Sequence, residues 1–448
     1  MYNITIIGAG VSSIFLAYSL MKSDEEISIH IIDKGKKLEE RVCGLDEGRN
    51  CTCEEGCSKY LGFAGLGKSE GKFNYTNDFG GELGRKIGHE GTLRYMEEVD
   101  DILCRFGGGK AEPYNTENKS LVEKAARHSL QVLSTRVRHL GTELAQEVFQ
   151  NMYEAMKSTI TFTFEADVNS IQNRSGFTIY TNKGTFTSEK IVFATGTSGS
   201  QWLKRQSHSI GLYPGKTRLD LGLRVEMRGN QLDSILRDTF ETKLMLKGSD
   251  YTATTYCMNP KGRIIRKFQN GLVMPDGQNK GEKDIPGQNL NFTLFVPQYF
   301  DSHSAAMKEA ETIIGRINRA RNRIVVQRLA DLTRKKFSIR PVASPISPSL
   351  HAEFGSLHEE VPELYTRALL DFFEALEGLL EEEIDPDTLL YGIDAKFYEP
   401  KLYTNEQFET QVPGLYLVGD CSGETHSLSQ AAASGLYLGS SLTKSQDE

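Results

Sequence analysis

The sequence predicts an α/β fold in which both ends of the chain build one mainly parallel sheet and the middle forms an inserted α+β domain. Three observations predict it. A strand, a glycine turn, a helix and a second strand succeed one another in residues 4–33, an apolar strand and a small-residue helix return after residue 412, and the texture changes between 209 and 384. At 448 residues the chain is too long for one small core. The expected boundaries are 1–208 and 385–448 for the terminal domain and 209–384 for the insert.

Taken in order, Ile4–Ile7 reads as a buried strand, Gly8–Gly10 as a turn, Val11–Met21 as a helix and Ile27–Ile32 as a β-branched strand. Residues 43–91 are rich in Gly and Cys with little periodicity, which marks a long functional loop. A helical zone is expected over Leu121–Met156, broken near Gly141, and strands over Ile160–Phe164, Phe177–Tyr180 and Lys190–Ala194. In the insert, strands are expected at Leu221–Met227 and Asn291–Val296, and helices across Ala305–Leu332 and Glu363–Leu380. Arg316, Arg319, Arg321, Arg323 and Arg328 read as a solvated helix face, with a phosphate site as the alternative. Leu415–Val418 and Leu428–Leu442 are the closing strand and helix.

Composition limits the function classes. With 38% hydrophobic and 25% charged residues the chain is globular rather than disordered. Its 60 acidic and 52 basic residues give a net charge of -8, which argues against a general nucleic-acid or anionic-membrane binder and leaves only local anion sites. Seven cysteines are too few, and odd in number, for a disulfide scaffold, so a reducing, cytoplasmic compartment is expected. The apolar run Ile4–Leu20 has no Lys or Arg before it and is interrupted by Gly8 and Gly10, unlike a signal peptide. No other run reaches the ~18 apolar residues of a membrane span, so no integral membrane segment is expected.

Gly8-Ala-Gly10-Val-Ser-Ser13 follows a strand and opens a helix, the setting in which glycines bind a dinucleotide. Gly8 permits the tight turn, Gly10 lets the backbone approach a pyrophosphate, and Ser13 stands where a third small residue lets helix meet strand. The helix N-terminus supplies N–H groups and the positive end of its dipole to the phosphates. Asp33 ends the second strand, where an acid accepts hydrogen bonds from an adenosine ribose and repels a 2′-phosphate, disfavouring NADP. Val412-Pro-Gly-Leu-Tyr-Leu-Val-Gly-Asp420 is a turn, a buried strand and an acid at its carboxyl end. An acid there suits the ribityl chain of a flavin, which NAD lacks, and points to FAD.

With Lys190-Ile-Val-Phe-Ala-Thr-Gly196 in mid-chain, these segments resemble the glutathione-reductase-like FAD-binding superfamily. That resemblance implies a Rossmann-like FAD-binding domain, pyrophosphate contacts at Gly8, Gly10 and Ser13, ribose binding at Asp33, a dinucleotide-facing turn at Thr195 and Gly196, and ribityl binding at Asp420. Gly62–Phe73, Arg138-His-Leu-Gly-Thr142, Cys257–Gly262, Tyr398-Glu-Pro and Gly414–Asp420 resemble the bacterial FAD-dependent, NAD(FAD)-utilising dehydrogenase group. Ala64 and Leu66 depart from its glycine-richer loop, and Ser422–His426 from its glycine-rich tail.

The candidate cofactor set also takes in Ser12, Lys34, Arg41 and Gly419, the loop residues Gly65, Gly67 and Ser69, and Ser427, Gln430 and Ala431 at the last helix. Ser427 and Gln430 have capping-box spacing, and that helix end would favour the negative charge of a reduced flavin. The loop Gly62–Lys72 suits contact with a flavin ring or substrate, or is a surface loop. Lys72 is a candidate for a substrate carboxylate, and His139 and His426 for proton transfer, each alternatively structural. Cys43, Cys51, Cys53 and Cys57, spaced C-x7-C-x-C-x3-C, leave a metal or cluster, a redox disulfide and unrelated thiols all open; Cys104, Cys257 and Cys421 read as packing residues.

The function expected is that of an FAD-dependent oxidoreductase transferring hydride between a small organic substrate and flavin N5, under an inserted substrate domain. No second glycine fingerprint is visible, so NAD(P)H docking transiently, a quinone or a redox-partner protein are the candidate electron exchangers. A flavin monooxygenase and a non-redox flavoprotein isomerase or cyclase are the alternatives.

Overall fold

The computed structural model describes residues 1–448 apart from 43–60, 69–70, 238, 240–241, 279–287, 320, 340–343 and 445–448. Two compact units emerge, one from Met1–Asn115, Thr135–Gly215 and Glu399–Glu448, the other from Thr116–Ser134 and Lys216–Tyr398. The boundaries therefore differ from those expected near 208 and 384. Thr116–Ser134 joins the second unit because its strand Leu130–Leu133 pairs with Lys243–Lys247 as the edge of that unit's sheet.

In the first unit, β1 (Tyr2–Ile7) lies between β2 (Ile29–Ile32) and the strand Gly184–Phe193, parallel to both. Thr161–Thr163 adds beyond β2, and Leu415–Leu417 beyond Gly184–Phe193, again parallel. Numbered by chain position, the parallel strands run 3-2-1-4-5, a doubly wound order that reverses between β1 and Gly184–Phe193. β1 is apolar on both faces because both are covered: Ile4 and Ile6 enter one core cluster and Ile7 another. Helix α1 (Val11–Met21) returns the chain from β1 to β2 and packs on the last helix, Leu428–Lys444. Small residues permit that approach: a β-carbon at Gly435 would lie 2.2 Å from the Ser12 carbonyl oxygen.

The second unit carries an eight-stranded sheet ordered Glu353–Phe354, Val325–Arg328, Leu389–Phe397, Thr217–Arg228, Asn289–Phe300, Thr252–Pro260, Lys243–Lys247, Leu130–Leu133. Along Thr217–Arg228 the alternation is strict. Leu219, Leu221, Leu223, Val225 and Met227 share a core with Leu369, Phe372 and Leu376 of the helix Glu363–Leu380. Asp220, Arg224 and Glu226 alternate with them and are buried with partners: Asp220 accepts from Tyr398 Oη at 2.9 Å, Arg224 donates to Thr293 Oγ1 at 2.9 Å, and Glu226 accepts from Tyr391 Oη at 2.6 Å.

Three expected elements are corrected. The helical zone Leu121–Met156 is a helix Lys119–Arg127, two strands Leu130–Leu133 and Arg136–His139, and a helix Gly141–Met156, since residues 130–139 carry a two-residue apolar period. The irregular stretch ending at 91 contains a strand Lys72–Tyr75 and gives way to a helix His89–Arg105, whose buried Thr92, Tyr95, Met96, Val99, Ile102 and Leu103 follow helical spacing. The arginine row is only in part a solvated helix face: Arg316, Arg319 and Arg321 are exposed, but Arg328 ends a strand. The helix stops at Asn318, and Arg323 is buried with its guanidinium bidentate on Glu360 at 2.5 and 2.9 Å. Among the described residues no helix is long and apolar enough to cross a membrane.

His30 on β2 shows how tightly this sheet is closed. It is fully buried, stacks on Tyr2, meets Phe186 edge-on, and its Nε2 lies 2.8 Å from Thr163 Oγ1. Burial pushes its imidazole down to about 4. The unfolded chain takes up this proton near pH ~6.5, so stability is complete above that pH and falls as the pH drops towards 4. Unfolding free energies from urea titrations at pH 7.5 and 5 should differ by about 2 kcal/mol from this group, and His30→Gln should remove most of that difference.

Candidate functional site

β1 and Gly184–Phe193 stay paired to their carboxyl ends, Ile7 beside Phe193, and mark the strand-order reversal, outside which doubly wound sheets leave a crevice. There the first unit holds a cleft of about 640 Å³, within the range of small-molecule sites. Gly8 enters it with φ +105, its N–H donating to the Ile32 carbonyl at 2.8 Å. A β-carbon at Gly8 would sit 2.4 Å from the Ala194 carbonyl oxygen, so only glycine passes there. Gly10, at φ −74, is the N-cap of α1 with no side-chain cap, and no acid occupies the helix's first turn. The first-turn N–H groups thus meet no competing carboxylate, as an anion site requires.

Asp33 is held at the end of β2 by two amides: Oδ2 accepts from Ala9 N–H at 2.7 Å and Oδ1 from Gly35 N–H at 2.6 Å. Burial pushes its carboxyl up, against the pull of those amides, the Arg41 charge and the Gly62 amide. Beyond the far strand, Asp420 opens a turn with Oδ1 accepting from Thr425 Oγ1 at 2.7 Å. Ser427, whose Oγ accepts from Gln430 N–H at 3.3 Å, starts the last helix.

The candidate residues divide sharply. Gly8, Gly10, Ser12, Asp33, Lys34, Gly65, Thr195, Gly196, Asp420, Ser427 and Ala431 line the cleft. Ser13 is buried within α1. Gly419 lies behind Ser12, whose Oγ a β-carbon there would meet at 2.5 Å. Arg41 and Gly67 act one layer back. The Arg41 guanidinium donates to the Phe63 carbonyl and, at 3.0 Å, to the Gly65 carbonyl, while Gly67 packs on Phe149 and Val11. Gln430 does not complete a capping box. Its amide spans to Phe79 O at 3.3 Å and to Leu83 N–H at 3.2 Å, tying the segment 76–83 to the last helix. Ser69 and Cys43, Cys51, Cys53 and Cys57 lie outside the described residues. Among the described residues no cluster of His, Cys, Asp or Glu has metal-ligating geometry.

None of the proposed catalytic residues lines this cleft. Lys72 and His139 face each other across the strand pair Lys72–Tyr75 and Arg136–His139, with His139 exposed. The His426 backbone N–H donates to the Gly80 carbonyl at 2.8 Å. Arg138, from the same stretch as His139, is structural: it is buried and pairs with Asp100 through Nε at 2.5 Å and Nη2 at 2.9 Å.

The cleft also draws on residues that the sequence did not single out: Leu61, Asp167, Gln201, Trp202 and Arg205. Trp202 is the chain's single tryptophan, edge-on to Phe193 with Nε1 donating to the Val168 carbonyl at 2.7 Å. Lys34 is paired with Asp167 at 3.1 Å. The signal was local in one respect only: these helix residues follow the Thr195–Gly196 turn at once.

No family model matches the chain, and no curated protein matches it. Among solved structures it is similar to glycine oxidase from Geobacillus kaustophilus, at 12% identity over 99% of this chain and 95% of that one, with a TM-score of 0.39. It is likewise similar to a variant of the halogenase PltM in complex with FAD, at 11% identity over 99% of this chain and 68% of that one, TM-score 0.37. A third is CabE, an aromatic hydroxylase from angucycline biosynthesis, at 11% identity over 100% of this chain and 62% of that one, TM-score 0.39.

Proposed function

We propose that the cleft is an FAD site and that the protein is an FAD-dependent oxidoreductase acting on a small organic substrate. The observation that carries this reading is the order of groups along one cleft: Asp33, then the N-terminus of α1, then Asp420 and the N-terminus of the last helix. Two acids flanking an anion-binding helix end match a diphosphate with a polyhydroxylated sugar or sugar alcohol on each side. A β-carbon at Gly10 would have only the Ala194 carbonyl within reach, at 4.0 Å, so the open space above the turn fits a pyrophosphate.

When bound, FAD supplies hydride chemistry at flavin N5 and the chain supplies binding and electrostatics. Asp33, oriented by the Ala9 and Gly35 amides, is placed to accept from a ribose hydroxyl, and its charge disfavours a 2′-phosphate. The α1 N-terminus holds the pyrophosphate through N–H groups. Asp420 accepts from ribityl hydroxyls, and the helix end at Ser427 and Leu428 favours negative charge on the pyrimidine side of the ring. Leu66 and the glycines before it form an apolar wall.

The deciding experiment is the absorption spectrum of purified protein, before and after incubation with FAD. Flavin bands that persist through gel filtration support the reading, and protein that stays colourless overturns it. Anaerobic titration with candidate reductants then separates a dehydrogenase, which bleaches the flavin, from an isomerase or cyclase, which turns over with it oxidised. Trp202 adds an optical readout, since its emission should fall by more than half when FAD fills the cleft and should be unchanged by NADP. Asp33→Ala should weaken FAD binding on the order of tenfold or more, the worth of one to two charge-assisted hydrogen bonds.

A further inference from the structure

We propose that the turn around Ser338 in the second unit is a peripheral anchor for an anionic lipid bilayer. The sequence Arg334-Lys-Lys-Phe-Ser-Ile339 places three cations beside two large apolar residues with no acid among them. Phe337 is 60% exposed and Ile339 is 76% exposed, the latter exceeded among the described large apolar side chains only by Met1. Arg334, Lys335 and Lys336 are exposed too, and none makes an ion pair among the described residues.

This exposure is imposed by a pinned backbone. Ser338 between the two apolar side chains is fully buried, with its Oγ donating to Asp331 Oδ2 at 2.6 Å and accepting from Arg328 N–H at 3.0 Å. Its N–H donates to the Gly355 carbonyl at 3.1 Å, and Gln327 Nε2 holds the Lys336 carbonyl at 2.7 Å. The inward Ser338 forces its neighbours outward. The nearby acids are committed elsewhere: Asp331 to Ser338, and Asp387 to Arg328. The result is a rigid tip that is apolar at its point and positive at its base.

Such a tip is a wedge, not a groove, and its charge fits one class of surface. Phe and Ile insert at the headgroup and acyl boundary while Lys and Arg meet anionic headgroups. The chain's net charge of -8 opposes attachment anywhere else, so the contact should be local and weakened by salt. This inference does not depend on what the cleft of the first unit binds.

The test is co-sedimentation of the full chain with vesicles of phosphatidylcholine alone and of phosphatidylcholine with phosphatidylglycerol, at low and high salt. Binding is expected only to the phosphatidylglycerol vesicles and should decline with salt. Phe337→Ser with Ile339→Ser, and separately Lys335→Glu with Lys336→Glu, should each lower partitioning at least about tenfold while thermal melting is unchanged. Wild-type protein that stays in the supernatant, or binding that both double substitutions leave intact, overturns the proposal. A change of oligomeric state on Phe337→Ser with Ile339→Ser, measured by analytical ultracentrifugation, overturns it in favour of a contact between copies of the chain. Should a double substitution impair folding, the single Lys336→Gln and the salt dependence of the wild type decide.

Discussion

Gly8→Ala protein is expected to be destabilised by about 3 kcal/mol and to lose altogether the FAD binding proposed for the cleft. At φ +105 a β-carbon costs roughly 1–3 kcal/mol in backbone strain, and this one also collides with the Ala194 carbonyl at 2.4 Å. The neighbour is backbone in the adjacent strand and cannot swing aside, so relief requires the turn to pull away from the sheet. That movement disturbs the Ala9 N–H bond to Asp33 as well. Gly10→Ala is the informative contrast. Its φ of −74 suits any residue and its β-carbon meets nothing closer than 4.0 Å, so the fold should melt as wild type does. FAD binding should still weaken, because the added methyl takes space proposed for the pyrophosphate. Urea denaturation of both apoproteins, with a flavin titration of each, separates a turn needed for folding from one needed for the ligand.

Asp100→Ala should cost about 3–5 kcal/mol, the range for leaving a buried charge without its partner. Asp100 is buried on the helix His89–Arg105, accepting from Tyr75 Oη at 2.6 Å, from Arg138 twice and from Arg136. Arg138 also donates to the Ala111 carbonyl. Burial alone would raise the Asp100 carboxyl, but the hydrogen bonds from Arg138 and Tyr75 and the Arg136 charge hold it below its ordinary value. A lowered carboxylate stabilises the fold above its unfolded value near pH ~4 and stops doing so as the pH falls through the native value. Acid loss from Asp100 therefore begins where that from His30 ends. Asp100→Leu combined with Arg138→Met should cost less than the sum of the two single changes, since no buried charge is stranded and the half-exposed Arg136 reaches water.

What the sequence made legible was what neighbouring residues decide among themselves. The turn at Gly8, helix α1 and the acid at Asp33 lie within one βαβ succession, where apolar spacing and glycines suffice. Asp420 could be read because a short apolar strand precedes it directly. Roles set by distant partners were hidden. Gln430 is spaced like a cap yet binds carbonyls more than 350 residues earlier in sequence. Arg41 stands in the candidate cofactor set but ties down the backbone of residues 63–65. Histidine carries proton chemistry often enough to draw attention, but pairing register sends His139 to an exposed strand end. Trp202 gave no signal because its helix is mostly polar, and its place beside the cleft follows from where the preceding strand ends. Residues 130–139 were misread because a flanking helix on each side masked a short period-two pattern.

The parallel sheet of the first unit receives Leu415–Leu417, and α1 its packing partner, only after the whole second unit has been specified by the chain. During translation the ribosome therefore exposes a half-built first unit for the time needed to synthesise residues 216–398, with the apolar flank of α1 uncovered. Nascent chains stalled before residue 415 should recruit chaperones and be protease-sensitive over residues 1–33, whereas chains released after residue 444 should resist digestion.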